Sequence, residues 1–287
     1  MNVSKEIILI CEVLGLTETE LGSLLGVSYE TINNWKHDRR NIDKLNIDKL
    51  YSFAYKKGIR FNRIYEQLIK EDYEDTDDVI LFHGARKELK LPIDFTKFSE
   101  MNNDFGKGFY LGENYIQALN SISMFNTNAI LAFNLNLKGL KVYKFNVDDV
   151  WMIAIAYFRG WLSDYENHEY ITNLLKQIED SDVIIAPIAD NRMFDIISEF
   201  AEVEITDEQC RHALSSTNLG YQYVLKSEEA LKACTFIQEM FVCGAEKKDC
   251  ANSRIEQTNV SLQKVKMARI EYKNKGKYIE ELLKWNH

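Results

Sequence analysis

The side chains best suited to chemistry fall in three separated segments: LFHGA (81–85), DFGKGFYLGENYIQAL (104–119) and GYQYVLKSEEAL (220–231). His83 offers a hydrogen-bonding imidazole. Phe109 and Tyr110 offer flat aromatic faces, and a stacked ring is worth about 1 kcal/mol beyond its burial. Gln222 offers an amide that bonds hydroxyls without carrying charge. Gly84 and Gly108 permit close backbone approach to a ligand. Asp104, Glu228 and Glu229 are the carboxylates at hand. Arg159 and Arg192 are cations fit for bidentate anion contacts. Taken singly, each has an ordinary structural role: a His after a strand is commonly a satisfied structural group, and a strand aromatic is commonly core. Their order and spacing together carry the functional reading.

The elements that must position these groups follow from hydrophobic pattern. VILFHGA (79–85) reads as a buried strand entering a loop, GFYL (108–111) as a second strand, and Ile116, Leu119 and Ile122 as a helix face. AILAFNLNL (129–137) alternates like a half-buried strand, and 139–143 resembles another. VDDVWMIAIAYFRGWL (147–162) is helical, DVIIAPIAD (182–190) an apolar strand, QYVLKS (222–227) a strand and EEALKACTFIQEMF (228–241) a helix. The order predicts an α+β domain. A charged helical extension follows at 246–287.

The three segments resemble the ADP-ribosyltransferase superfamily in its diphtheria-toxin and poly(ADP-ribose) polymerase branch. That branch carries a His-Gly on its first strand, a Gly-x-Tyr-like strand start, and a Glu-Tyr heading a late strand. Here the places hold His83-Gly84, Gly108-Phe109-Tyr110 and Gln222-Tyr223. The resemblance is closer still to a bacterial domain family of undetermined function with DFGKGFY, an apolar strand ending Pro-x-Ala-Asp (Pro187 to Asp190), and Gln heading the last strand. It spans about 79–236. It implies a split β-sheet catalytic domain at 79–245 that uses NAD as substrate. NAD cleavage passes through an oxocarbenium-like state at the ribose, as glycoside hydrolysis does. By resemblance, His83, Tyr110 and Gln222 are the catalytic constellation, and His83, Gly84, Gly108, Phe109, Tyr110 and Arg192 bind NAD. Gly84 would grip the carboxamide, Tyr110 stack on nicotinamide, and His83 and Gln222 bond the ribose. Two departures stand out: residue 222 is Gln rather than Glu, and Ser121 stands where the branch places a second stacking Tyr. Phe109, Tyr115 or Phe125 are the candidates to complete the clamp. No P-loop or Gly-rich dinucleotide fingerprint is present.

Residues 1–70 read as helices. Ile7, Ile8, Cys11 and Leu14 form one stripe, Leu21, Leu24 and Leu25 a second, and Leu45, Leu50, Phe53 and Ala54 another. Thr17 and Glu20 make a capping box, Gly26-Val27-Ser28 is a turn, and Ser28 caps the next helix, whose inward face is Ile32 and Trp35. This segment resembles the helix-turn-helix of Cro/C1-type repressors. The resemblance implies DNA contact by Ser28, Tyr29, Thr31, Asn33, Asn34, Lys36, Arg39 and Arg40; use of the module for protein contact is the other reading. Residues 28–63 hold 9 basic and 4 acidic side chains, a local excess that favours a polyanion. EDYEDTDD (71–78), with six carboxylates in eight residues, reads as a linker.

Over 287 residues the net charge is −9, which argues against a protein that coats nucleic acid with its whole surface. Five scattered cysteines without C-x-x-C spacing suggest reduced thiols, and no metal is expected. No segment reads as a signal peptide or a membrane span, so a cytoplasmic protein without membrane contact is expected. The combination implies a mono-ADP-ribosyltransferase acting as an intracellular bacterial toxin or defence effector, with an antitoxin partner and an unknown macromolecular acceptor. The alternative is a transcriptional regulator that senses NAD or ADP-ribose without turnover.

Overall fold

The computed structural model describes residues 2–85, 89–94, 103–189, 191–215 and 220–284; the side chains of 191, 192, 215, 257–261 and 264 lie outside that description. Five helices open the chain: α1 Val3–Leu14, α2 Glu18–Leu25, α3 Tyr29–Lys36, α4 Lys44–Lys56 and α5 Phe61–Asp72. Local chemistry sets their starts. The Thr17–Glu20 capping box forms in full, and Ser28 and Asp43 each accept from a backbone N–H three residues on. Ile7, Ile10, Leu21, Leu25, Ile32, Trp35, Leu50 and Ala54 make the core of this bundle. Three expected stripe positions differ: Ile8, Leu24 and Leu45 are exposed, and Glu6 and Ile10 take the buried side of α1. Ile7, Cys11 and Leu14 keep the expected face, and Glu6 joins it because Tyr51 and Tyr65 donate to its carboxylate.

The remainder is α+β. Its strands are β1 Asp78–Gly84, β2 Phe109–Gly112, β3 Ala129–Asn136, β4 Val142–Lys144, β5 Val183–Pro187, β6 Tyr221–Leu225 and β7 Cys234–Phe241. They form one sheet in the order β4-β5-β6-β2-β1-β3-β7. Only β4 and β5 pair in parallel. The segment expected as a single helix at 228–241 divides: α11 covers Glu228–Lys232, and β7 then pairs with β3 along its length. The Ala-Leu-Lys-Ala helix formers hide a following Thr-Phe-Ile run that satisfies the open edge of β3. The acidic run is likewise shared out. Glu71 and Asp72 finish α5, and Asp78 accepts from the Asn134 and Asn136 side chains at 2.8 and 2.7 Å.

The sheet is split. β1 and β3 pair through seven residues and β2 and β6 through four, but β1 meets β2 at Phe82 and Gly112 alone. Helix α6 (Tyr115–Ile122) spans this seam. It reaches both strands only because they present glycine. A Cβ on Gly84 would lie 2.2 Å from Ser121 Oγ and 2.4 Å from the Ala118 carbonyl oxygen, and one on Gly112 2.6 Å from Gln117. One sheet face carries two clusters. α6 and Ile69 of α5 cover β1 and β3, whereas α7 (Asp149–Phe158), α8 (Glu169–Glu179), α9 (Asn191–Ala201) and α10 (Asp207–Ser215) cover β5, β6 and β2. The opposite face carries one cluster, around Leu81, Phe109, Phe133 and Leu225.

Helix α12 (Gly244–Glu271) packs on α4 at one end and α10 near the other, and α13 is Ile279–Lys284. The bundle and the sheet share a buried polar join: Asn62 Nδ2 lies 2.8 Å from the Tyr115 hydroxyl, 2.9 Å from the Phe241 carbonyl and 3.0 Å from Glu246. Glu66 of α5 accepts from the Tyr115 N–H at the start of α6. We expect Gly84→Ala to cost about 2–3 kcal/mol by overpacking against α6, read as a lower urea midpoint. Adding Ser121→Gly should restore less than half, since the Ala118 carbonyl stays in place.

Candidate active site

The side-chain alternation of the strands sorts the expected residues. Gln222 pairs with Gly112 on one side and Ala186 on the other, so the amide stands between two small neighbours. It shares its face with Val224 and Tyr110, both packed toward α7–α9. His83 points to the other face, with Leu81. Its ring lies 4.6 Å from that of Phe109, and Nδ1 meets the Tyr110 carbonyl oxygen at 2.8 Å. Because a carbonyl only accepts, Nδ1 carries the proton, and in the neutral ring Nε2 is the acceptor. His83 thus bridges the two half-sheets where the ladder stops.

The structure gathers Gln222 and Tyr110 around Asp104. Gln222 Nε2 donates to Asp104 Oδ2 at 2.9 Å and to the Pro187 carbonyl at 3.3 Å. Arg159 donates to Asp104 Oδ1 at 2.5 Å, and its guanidinium lies 3.8 Å from the Phe194 ring centroid. Burial pushes the Asp104 carboxyl above its ordinary range, and the Gln222 amide and Arg159 pull it back. The Tyr110 hydroxyl accepts from the Phe105 N–H at 3.0 Å and donates to the Gly106 carbonyl at 2.8 Å; burial raises its pKa. Lys226 donates to the Phe105 carbonyl at 2.6 Å. The DFG turn is therefore held from three directions.

The other expected residues fall as follows. Phe109 is 2% exposed between His83 and Phe133, a core position. Gly108 lets β2 lie against β6, since a Cβ there would stand 2.5 Å from Val224. Arg192 opens α9, but its side chain lies outside the described residues, as does Asp190 of the Pro-x-Ala-Asp motif. Tyr115 is fully buried in the join with α5, and Ser121 turns its hydroxyl back to the Ala118 carbonyl at 2.7 Å. Phe125 is exposed. Glu228 and Glu229 are exposed on α11. Of the carboxylates weighed from sequence, only Asp104 bonds Gln222. The tie between Arg159 and Asp104 was missed because 55 residues separate them; the one signal was an Asp heading a motif otherwise made of Gly and aromatics.

In the bundle, Tyr29, Arg39 and Arg40 are exposed, while Thr31, Asn33, Asn34 and Lys36 are half-buried. Lys36 pairs with Glu18 at 2.5 Å, and Asn33 also donates to Glu18. Ser28 spends its hydroxyl on the Thr31 N–H and Oγ1, and Arg39 donates to Asn33. Ser28, Tyr29, Thr31, Asn33, Lys36 and Arg39 thus each have a partner within the module.

The molecule is an α+β protein with a seven-stranded split sheet and a buried amide–carboxylate–guanidinium cluster at its seam. It belongs to the family described as a protein of unknown function, DUF3990, whose model matches residues 79–236. No curated protein and no solved structure matches the chain. Among the described residues there is no metal-binding cluster and no helix long and apolar enough to cross a membrane.

Arg159→Met removes the cation that, among the described residues, pairs with Asp104. We expect a loss of about 3 kcal/mol at pH 7.5 that shrinks toward pH 4. The folded pKa of Asp104 then lies further above its unfolded value near 3.9. The folded chain holds the proton that the unfolded chain releases, so stability falls as pH rises between the two. Urea unfolding at both pH values checks this.

Proposed function

We propose that this protein is an NAD-dependent mono-ADP-ribosyltransferase, acting at the split of the sheet on a macromolecular acceptor. The observation that carries the reading is the orientation of Gln222. Both groups facing its nitrogen, the Asp104 carboxylate and the Pro187 carbonyl, are acceptors. The amide nitrogen is thereby fixed inward. Oε1 makes no hydrogen bond among the described residues and is left as the acceptor of the pair. It offers a sugar hydroxyl the same acceptor that a Glu would, at a position between Gly112 and Ala186, with the Gln117 side chain of α6 over Gly112. A ribose held there, with nicotinamide against Tyr110, is positioned for loss of the base; orientation and electrostatics then lower the barrier. His83, tied to β2 through its Nδ1 bond to the Tyr110 carbonyl, stands at the same seam on the other face of the sheet. The family match over 79–236 covers all three residues.

The absence of charge on residue 222, with Asp104 already paired to Arg159, favours a second reading in which NAD or ADP-ribose binds without turnover and the protein is a regulator. Nicotinamide release separates the two. Purified protein with NAD and cell lysate should release nicotinamide, and His83→Ala, Tyr110→Ala and Gln222→Met should each lower kcat/KM at least about tenfold, a loss of 1.4 kcal/mol in transition-state stabilisation. NAD binding with no release in any condition would favour the regulator.

For the bundle, the proposal is duplex DNA contact by a helix-turn-helix made of α2 and α3, in a bacterial toxin or defence effector that an antitoxin holds in check. The exposed Arg39 and Arg40 support it. Replacing both with Ala should weaken duplex binding about tenfold at low salt and lower the slope of log K against log salt by about 2. An unchanged slope would assign this face to protein contact.

A further inference from the structure

We infer that Asp104 is a positioning residue that fixes position 222 as an amide and turns its carbonyl outward. The argument is one of hydrogen-bond polarity. Asp104 is an acceptor on both edges: Oδ1 takes the Arg159 N–H and Oδ2 the Gln222 amide. Pro187 adds a third acceptor at 3.3 Å from the same nitrogen. Only a donor can occupy that point. A glutamate at 222 would set a second carboxylate oxygen 2.9 Å from the first, with one guanidinium to serve both. The burial is nearly complete, with Asp104 7% and Gln222 8% exposed, so water does not relieve the conflict.

An asparagine at 104 reverses the logic. Its carbonyl can keep Arg159, and its N–H₂ then faces residue 222. Against Gln222 that is donor against donor, and the amide must turn its nitrogen outward. Against a glutamate it is donor against acceptor. The two residues are therefore a swappable pair: amide and carboxylate can trade places, but two carboxylates or two amides cannot coexist in the native orientation. The Gln that departs from the Glu of the resembling branch is on this account a consequence of Asp104. The outward role of the carbonyl, to accept from a ligand hydroxyl, rests on the NAD reading; the pairing rule does not.

The test is a double-mutant cycle on the full chain: wild type, Gln222→Glu, Asp104→Asn, the double variant, and Gln222→Met as an uncharged control. Melting is followed between pH 5 and pH 8, and nicotinamide release beside it. Gln222→Glu should melt close to wild type at pH 5, with its new carboxyl protonated. It should fall by about 6 °C or more by pH 8. The Gln222→Met protein, which takes one donor from Asp104 but adds no second carboxyl, should lose less between pH 5 and pH 8 than Gln222→Glu. The double variant should regain most of the pH 8 loss, held short of full recovery by the Pro187 carbonyl. Its nicotinamide release should exceed that of either single variant by at least about tenfold. Additive melting losses, or a Gln222→Glu protein indifferent to pH, overturn the proposal. If Gln222→Glu yields no folded protein, folding of the double variant supports the proposal and its failure to fold overturns it. Coupled melting with no nicotinamide release from any protein, wild type included, sustains the pairing and removes the transferase reading alone.

Discussion

The two halves of the sheet meet at a single residue pair, Phe82 and Gly112, and the rest of the molecule is organised around how that weak join is held. Backbone groups left unpaired by the split have to find other partners. The His83 imidazole supplies one by bonding the Tyr110 carbonyl across the gap. Helix α6 supplies the mechanical part. It lies so close to both strands that neither Gly84 nor Gly112 has room for a Cβ. Its first N–H is in turn taken by Glu66 of α5. The seam, the helix across it and the N-terminal bundle are thus one continuous set of contacts.

A seam of this kind is also where a polar group can be kept in an apolar sheet. Gln222 sits in the ladder between Gly112 and Ala186, and its charge partner comes from the loop before β2, not from a neighbouring strand. Such a buried network is tolerable only when every member is satisfied. The Asp104 carboxylate meets that condition, with a donor on each oxygen. Arg159 meets it in part: its Nε is sealed without a partner, and the ring of Phe194 lies beneath its plane.

Much of this was legible in the sequence. The apolar runs gave β1 and β3 to within a residue and β5 with three residues too many at its end, and the Thr17 and Ser28 caps gave the helix starts. The α+β class followed from their order. What was not legible was whatever depends on contacts distant in the chain. β7 was hidden because its strand character is completed by the edge of β3. The inward turn of Glu6 depends on tyrosines 45 and 59 residues away. The site shows the same division. Position 222 stood out from its place in a motif. The reason for an amide there lies in Asp104, 118 residues earlier, and no local pattern connects the two.

The polar join at Asn62 has a consequence for what counts as a self-sufficient piece of this chain. The family segment ends at residue 236, inside β7, which continues to Phe241. The residues just beyond, Phe241 and Cys243, belong to the hydrophobic core of the N-terminal bundle. A fragment cut to the family's borders would carry three residues of an eight-residue edge strand, an α6 without the Glu66 carboxylate that takes its first N–H, and a buried Tyr115 hydroxyl without Asn62. The helices in front of the sheet are in this sense one of its walls.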